Sequence, residues 1–122
     1  MPGAGKMVID KICKDLDSDL RIVAIRLARQ LNSDVVNLIT MLSNDKSPQV
    51  RRECAIALRE LDVTEVPKLW AKLALQHDGK DRWYLEALGI AAEGKWDECF
   101  KAWIGSGGCL LYTSDAADEI AS

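Results

Sequence analysis

The sequence predicts an all-α chain: an α-solenoid of antiparallel helical hairpins, about three units long and truncated on its C-terminal side. Three observations predict it. First, Leu20-Arg21, with Ala24, Arg29 and Leu31, returns thirty residues later as Val50-Arg51, with Cys54, Arg59 and Leu61. It returns more loosely from Arg82 through Ala87 and Leu88. A fixed period of this size marks stacked helical hairpins, each covering its neighbour's apolar face. Second, apolar residues recur at helical spacing and nowhere alternate as in a half-buried strand. Third, glycine and proline are scarce before Gly105, and only short polar turns separate the helical runs. Connections that short make consecutive helices antiparallel neighbours.

Val8, Ile9, Ile12 and Leu16 place a first helix over residues 7–16. Asp17-Ser18-Asp19 is a polar turn with capping residues, and Leu20, Ala24, Leu27 and Leu31 line the helix it opens. Asn32-Ser33-Asp34 caps a third helix with Val35, Leu38, Ile39 and Leu42 on its apolar face. Ser47-Pro48 pairs an N-cap serine with proline at the first helical position, a strong start signal. The helix it opens carries Val50, Cys54, Ala57, Leu58 and Leu61. A fifth holds Val66, Leu69, Trp70, Leu73 and Ala74, with Pro67 in its first turn, where a missing N–H does little harm. Asp78-Gly79 turns the chain into a sixth, marked by Trp83, Tyr84, Ala87, Leu88 and Ala91 and stopped by Gly94. Trp96, Cys99, Phe100 and Trp103 begin a seventh.

Residues 1–104 form one segment, and 105–122 form a junction and tail of different character. From Cys109 to Glu119 the chain reads Cys-Leu-Leu-Tyr-Thr-Ser-Asp-Ala-Ala-Asp-Glu. This stretch resembles one translated reading frame of a transposase-based sequencing-library adapter, which implies a non-native tail and a gene interrupted near the junction. It holds Asp115, Asp118 and Glu119, three of the 19 acidic residues; the other 16 balance the 16 Lys plus Arg. The net charge of −3 therefore belongs to the tail, and the acidic balance predicts no basic partner. An array interrupted within a hairpin is expected to be marginally stable or self-associating.

Asp15 precedes Arg21 by six residues, as Asp45 precedes Arg51. This places a turn aspartate before an arginine in the first turn of the next helix. The arrangement resembles the Asp/Arg ladder of HEAT repeats over residues 7–103, with Asp15, Arg21, Asp45 and Arg51 as its structural residues. Arginine suits such a ladder because its planar fork can hold both carboxylate oxygens. The third unit departs, since Asp78 is four before Arg82. Asp78 to Ala92 further resembles part of the HEAT region of bacterial membrane-bound-dehydrogenase-like, haem-binding Cys-x-x-Cys-His proteins. That resemblance implies a parent with a sugar-dehydrogenase-like propeller and a cytochrome c domain, extracytoplasmic, with haem c elsewhere in the parent. No Cys-x-x-Cys-His occurs here, so no cofactor is expected in this segment. Without that parent, a cytoplasmic location is expected.

Other constellations carry little chemistry. Cys13, Cys54, Cys99 and Cys109 form no metal-ligand spacing, and Cys54 and Cys99 fall at apolar helix positions as buried thiols. Gly3-Ala-Gly5-Lys6 lacks the first glycine, the Ser/Thr and the preceding strand of a phosphate loop. His77 is the only histidine, at a helix end where capping is the default. Arg26, Arg29 and Arg59 could line a basic face for DNA phosphates, with Arg51-Arg52, but Glu53, Glu60, Glu86 and Glu93 share those helices. A mixed-charge surface without nucleic acid is expected. Lys80 and Arg82 offer a further surface contact in the turn after His77. The tryptophans should serve mainly as core, with one or two at the surface where a neighbour would cover them. No apolar run spans a membrane, and Met1 to Val8 lack a signal-type apolar region. The expected function is a non-catalytic helical scaffold binding protein or neighbouring domains. The alternative is a stand-alone HEAT-like enzyme or lyase subunit acting on bilin-carrying proteins or DNA.

Overall fold

A computed structural model describes residues 2–107. Among them the chain forms α1 (Pro2–Ile12), α2 (Ser18–Leu31), α3 (Val35–Leu42), α4 (Pro48–Leu58), α5 (Val66–Leu75), α6 (Arg82–Ala92) and α7 (Trp96–Gly105). The adapter-like stretch 109–119, including Cys109, lies outside the described residues.

Local chemistry sets several helix ends. Asp17, in extended conformation, accepts the Asp19 N–H through its carboxylate at 2.9 Å. Ser47 accepts the Val50 N–H, with Pro48 opening α4 behind it. Asp81 accepts the Tyr84 N–H at 3.1 Å to open α6. These contacts satisfy N–H groups that a helix start leaves unpaired. Asn32 closes α2 in the left-handed region, φ 51°, returning its N–H to the carbonyls of Ala28 and Arg29. Gly94, φ 78°, follows α6 in the same region, as its position after the last apolar residue predicts.

The first helix differs from expectation. It spans Pro2–Ile12 rather than 7–16, and it buries Ile9, with Cys13 just beyond its end, while Leu16 is 95% exposed. The cause is the aspartate turn. The Asp15 carboxylate accepts the Asp17 N–H at 2.9 Å, and the Asp15 and Leu16 carbonyls are taken by Arg21 Nη1. That local bonding competes with helix continuation.

The expected solenoid of consecutive hairpins is also corrected. The dominant packing joins helices distant in sequence, α4 with α6 and α5 with α7, whereas α2–α3, α3–α4, α4–α5 and α5–α6 touch much less. The fold is an all-α bundle of seven helices among the described residues, and the HEAT-repeat and α-solenoid descriptions do not hold. The cytochrome-associated description, carried by the repeat resemblance, falls with them. For α2, α4 and α6 side-chain size is one physical reason, while α5 and α7 meet through the rings of Trp70, Trp96 and Phe100. Ala24 and Ala28 on α2, Cys54 and Ala57 on α4, and Ala87 and Ala91 on α6 are all buried, so small residues lie where these helices meet. Helices can approach closely where contact residues are small. Short loops constrain which elements are joined, and leave packing partners to the faces.

The core runs as one cluster from Ile9 to Cys99. A remote lysine ties the end of α4 to the start of α7. Lys95, in the turn before α7, donates from Nζ to the carbonyls of Leu58, Arg59 and Leu61 at 3.1, 3.1 and 2.6 Å. An ammonium supplies three donors, and the α4 C-terminus presents carbonyls that no helix N–H satisfies. Lys95→Met should lower unfolding stability by about 1.5–3 kcal/mol, as expected for hydrogen bonds to a charged group. Urea unfolding followed by circular dichroism measures it, and a loss under about 0.5 kcal/mol would show that water replaces the ammonium freely.

Candidate functional site

Among the described residues a groove of about 500 Å³ lies between α5, α6 and α7. Its floor is Trp70 of α5, which is buried and donates its indole N–H to the Leu88 carbonyl at 2.8 Å. One wall is α6, through Leu85, Leu88 and Gly89. The other is α7, through Trp96, Phe100 and Trp103, which share a face because they recur at helical spacing. Trp96 and Phe100 stack at 5.3 Å between centroids, and each meets Trp70 edge-on at 6.1 Å. These geometries are the ones ring quadrupoles favour. Leu85, Trp96 and Phe100 nevertheless remain 59%, 43% and 45% exposed.

The polar groups of the groove are already engaged. His77 sits at one end, its ring 5.4 Å from that of Tyr84. Its Nδ1 accepts the Gly79 N–H, which leaves the proton on Nε2 to donate to the Asp81 carbonyl at 2.9 Å. The only histidine therefore organises the turn before α6. The surface it leaves behind is apolar and aromatic, suited to desolvating an apolar side chain.

Of the four ladder residues, Arg21 and Asp45 pair directly, between one copy of the repeat and the next. Arg21 makes its bidentate pair with Asp45, at 2.8 and 3.0 Å, and reaches Asp15 only through that residue's carbonyl. Arg51 donates to the Asp45 carbonyl rather than its carboxylate. Burial alone would raise the Asp45 carboxyl, but the Arg21 bonds, the Ser47 N–H and the charges of Arg21 and Arg51 outweigh it and hold the group below the usual range. The sequence stops there. N-caps Asp17, Ser47 and Asp81 set the true register, and on that register Leu85, not Arg82, stands where Arg21 and Arg51 stand. Arg82 is an exposed residue paired with Glu86 one turn on. With no third carboxylate rung, the Arg51 guanidinium lies 5.6 Å from the Tyr84 ring centre, and its buried Nε has no hydrogen-bond partner.

The arginines of the mixed-charge face pair across helices. Arg26 meets Glu53, Arg29 meets Glu60, and Arg59 meets Glu93, at 2.9, 3.4 and 3.3 Å. Lys80 is exposed, in the turn between α5 and α6 and apart from these pairs. Cys13, Cys54 and Cys99 are buried, reduced thiols. Burial pushes all three up, Cys99 to about 11, so they carry little thiolate near neutral pH. Among the described residues, no three His, Cys, Asp or Glu side chains converge as metal ligands, and no helix is long and apolar enough to cross a membrane.

Sequence reasoning missed Leu85, Gly89 and Lys95 as important positions. Gly89 carried a readable signal: an isolated glycine inside a helical run weakens the helix unless something needs the space. Lys95 carried none, because its three acceptors lie more than thirty residues away in sequence. No family model, curated protein or solved structure matches the chain.

Proposed function

We propose that the chain is a non-catalytic protein-interaction module that binds a helix in the groove between α5, α6 and α7. The observation that supports this reading is the exposure of Leu85, Trp96 and Phe100 around the buried Trp70 floor. Contiguous apolar surface of this kind favours a protein partner, and aromatic side chains dominate the energetics of such contacts. An apolar groove lined by exposed aromatic side chains suits an amphipathic helix presenting apolar residues at i, i+3, i+4 and i+7. The mixed-charge surface elsewhere is solvated and paired, and adds little affinity.

Intrinsic tryptophan fluorescence tests the reading directly, because Trp70, Trp96 and Trp103 line the groove. A panel of amphipathic helical peptides should include binders in the micromolar range, and Trp96→Ala with Phe100→Ala should weaken them at least tenfold, as expected for central aromatic contacts. The reading fails if neither a helical peptide nor a second copy of the chain occupies the groove.

A further inference from the structure

We infer that the groove's occupant is a second copy of this chain, docked by a two-fold contact in which the two α6 helices cross at Gly89. The inference rests on reading the groove as a protein-binding surface. Gly89 lies within α6, where glycine is unfavourable, and its backbone does not use the left-handed region. A Cβ added there would meet nothing within 4 Å, so no packing among the described residues requires the glycine. What it provides is a notch in the groove wall, one turn from the exposed Leu85. Another helix backbone can approach closely at such a notch.

The charges on α6 select the partner and its direction. Arg82 stands seven residues before Gly89, and Glu93 four after it. Their side chains are 84% and 67% exposed. In an antiparallel self-crossing centred on Gly89, residues before the centre face residues after it. Arg82 then falls about 4.5 Å along the axis from Glu93 of the partner subunit, within side-chain reach. A two-fold axis repeats this contact, and each Leu85 enters the other copy's groove. The present partners of these charges, Glu86 and Arg59, hold them only as exposed pairs, which exchange at little cost.

Analytical ultracentrifugation of the full chain over a wide concentration range should show a reversible monomer–dimer equilibrium. Gly89→Leu should weaken dimerisation at least tenfold while far-UV circular dichroism stays unchanged. Arg82→Glu and Glu93→Arg should each weaken it several-fold, and the double variant should recover most of the loss. Positions 82 and 93 lie at opposite ends of α6, about 16 Å apart, so that recovery can only come from pairing between copies. A chain that stays monomeric throughout overturns the inference, as does a dimer indifferent to all three changes. A monomer that still binds a helical peptide in the groove overturns the second copy and leaves the proposed function standing; a monomer that binds no peptide overturns both.

Discussion

Replacing Trp70 with alanine should cost about 3–5 kcal/mol of unfolding stability, the range for truncating a large buried aromatic. Trp70 is 5% exposed and joins three helices. It extends from α5, donates its N–H to Leu88 of α6, and meets Trp96 and Phe100 of α7 edge-on. The change would therefore remove apolar burial, a hydrogen bond between helices and two ring contacts, and leave a cavity under the groove. Trp70→Phe separates these effects. It retains much of the apolar area and loses the N–H, so it should cost about 1 kcal/mol for the hydrogen bond and somewhat more for the lost volume. A domain of this size has a total stability of about 5–15 kcal/mol, so the alanine variant should unfold at much lower urea while the phenylalanine variant stays folded at 25 °C. A Trp70→Ala loss below about 1.5 kcal/mol would mean that α7 packs without it.

Elements set by local chemistry were legible in the sequence. Ser47-Pro48 opens α4 as expected, Pro67 falls in the first turn of α5, and Gly94 ends α6. The burial of Cys54 and Cys99 also followed from helical spacing. Where competing local bonds existed, periodicity misled: Leu16 fits the apolar spacing of the first helix, yet the Asp15 turn takes it out into solvent. The third copy of the repeat was misaligned for a related reason. Its spacing from the second is set by a longer turn, and only the N-cap hydrogen bonds show that Leu85 rather than Arg82 occupies the arginine position. Helix pairing was the least legible. Loop length says which helices are connected, while small buried residues on α2, α4 and α6 decide which ones meet. Those residues are spread over nearly seventy positions, so no local window contains the information.

The groove shows the same division. Trp96, Phe100 and Trp103 could be placed on one helical face from spacing alone, and the surface role of one or two tryptophans was expected. Their assembly over Trp70 depends on α5 packing against α7, which spacing does not reveal. Leu85, an aliphatic residue at the position after the N-cap that Arg21 and Arg51 hold in their helices, lines the groove and places no charge beside the aromatic wall.

Asp45→Asn should cost about 3–5 kcal/mol at pH 7, because it removes the carboxylate from a buried pair and strands the other charge. Both side chains of the Arg21–Asp45 pair are 9% exposed, and the Asp45 carboxylate also orders the next turn through the Ser47 N–H. The pH dependence distinguishes a lost charge from a lost shape. Asp45 has a folded pKa below its usual value, so its anion stabilises the fold fully above the unfolded pKa of about 3.9. That contribution shrinks as pH falls below about 4 and is gone once pH passes below the folded pKa. The gap in stability between the native sequence and Asp45→Asn should therefore be widest near neutrality and narrow steadily into acid. Arg21→Met tests the partner: it leaves Asp45 with the Ser47 N–H and the nearby Arg51 charge, and should cost less than Asp45→Asn. The double variant should cost less than the sum of the two single losses by about 1–3 kcal/mol, the coupling expected of residues in direct contact. A penalty equal at pH 3 and pH 7, or strictly additive losses, would show that the turn is held by backbone bonding to Arg21 and that the ion pair is incidental to it.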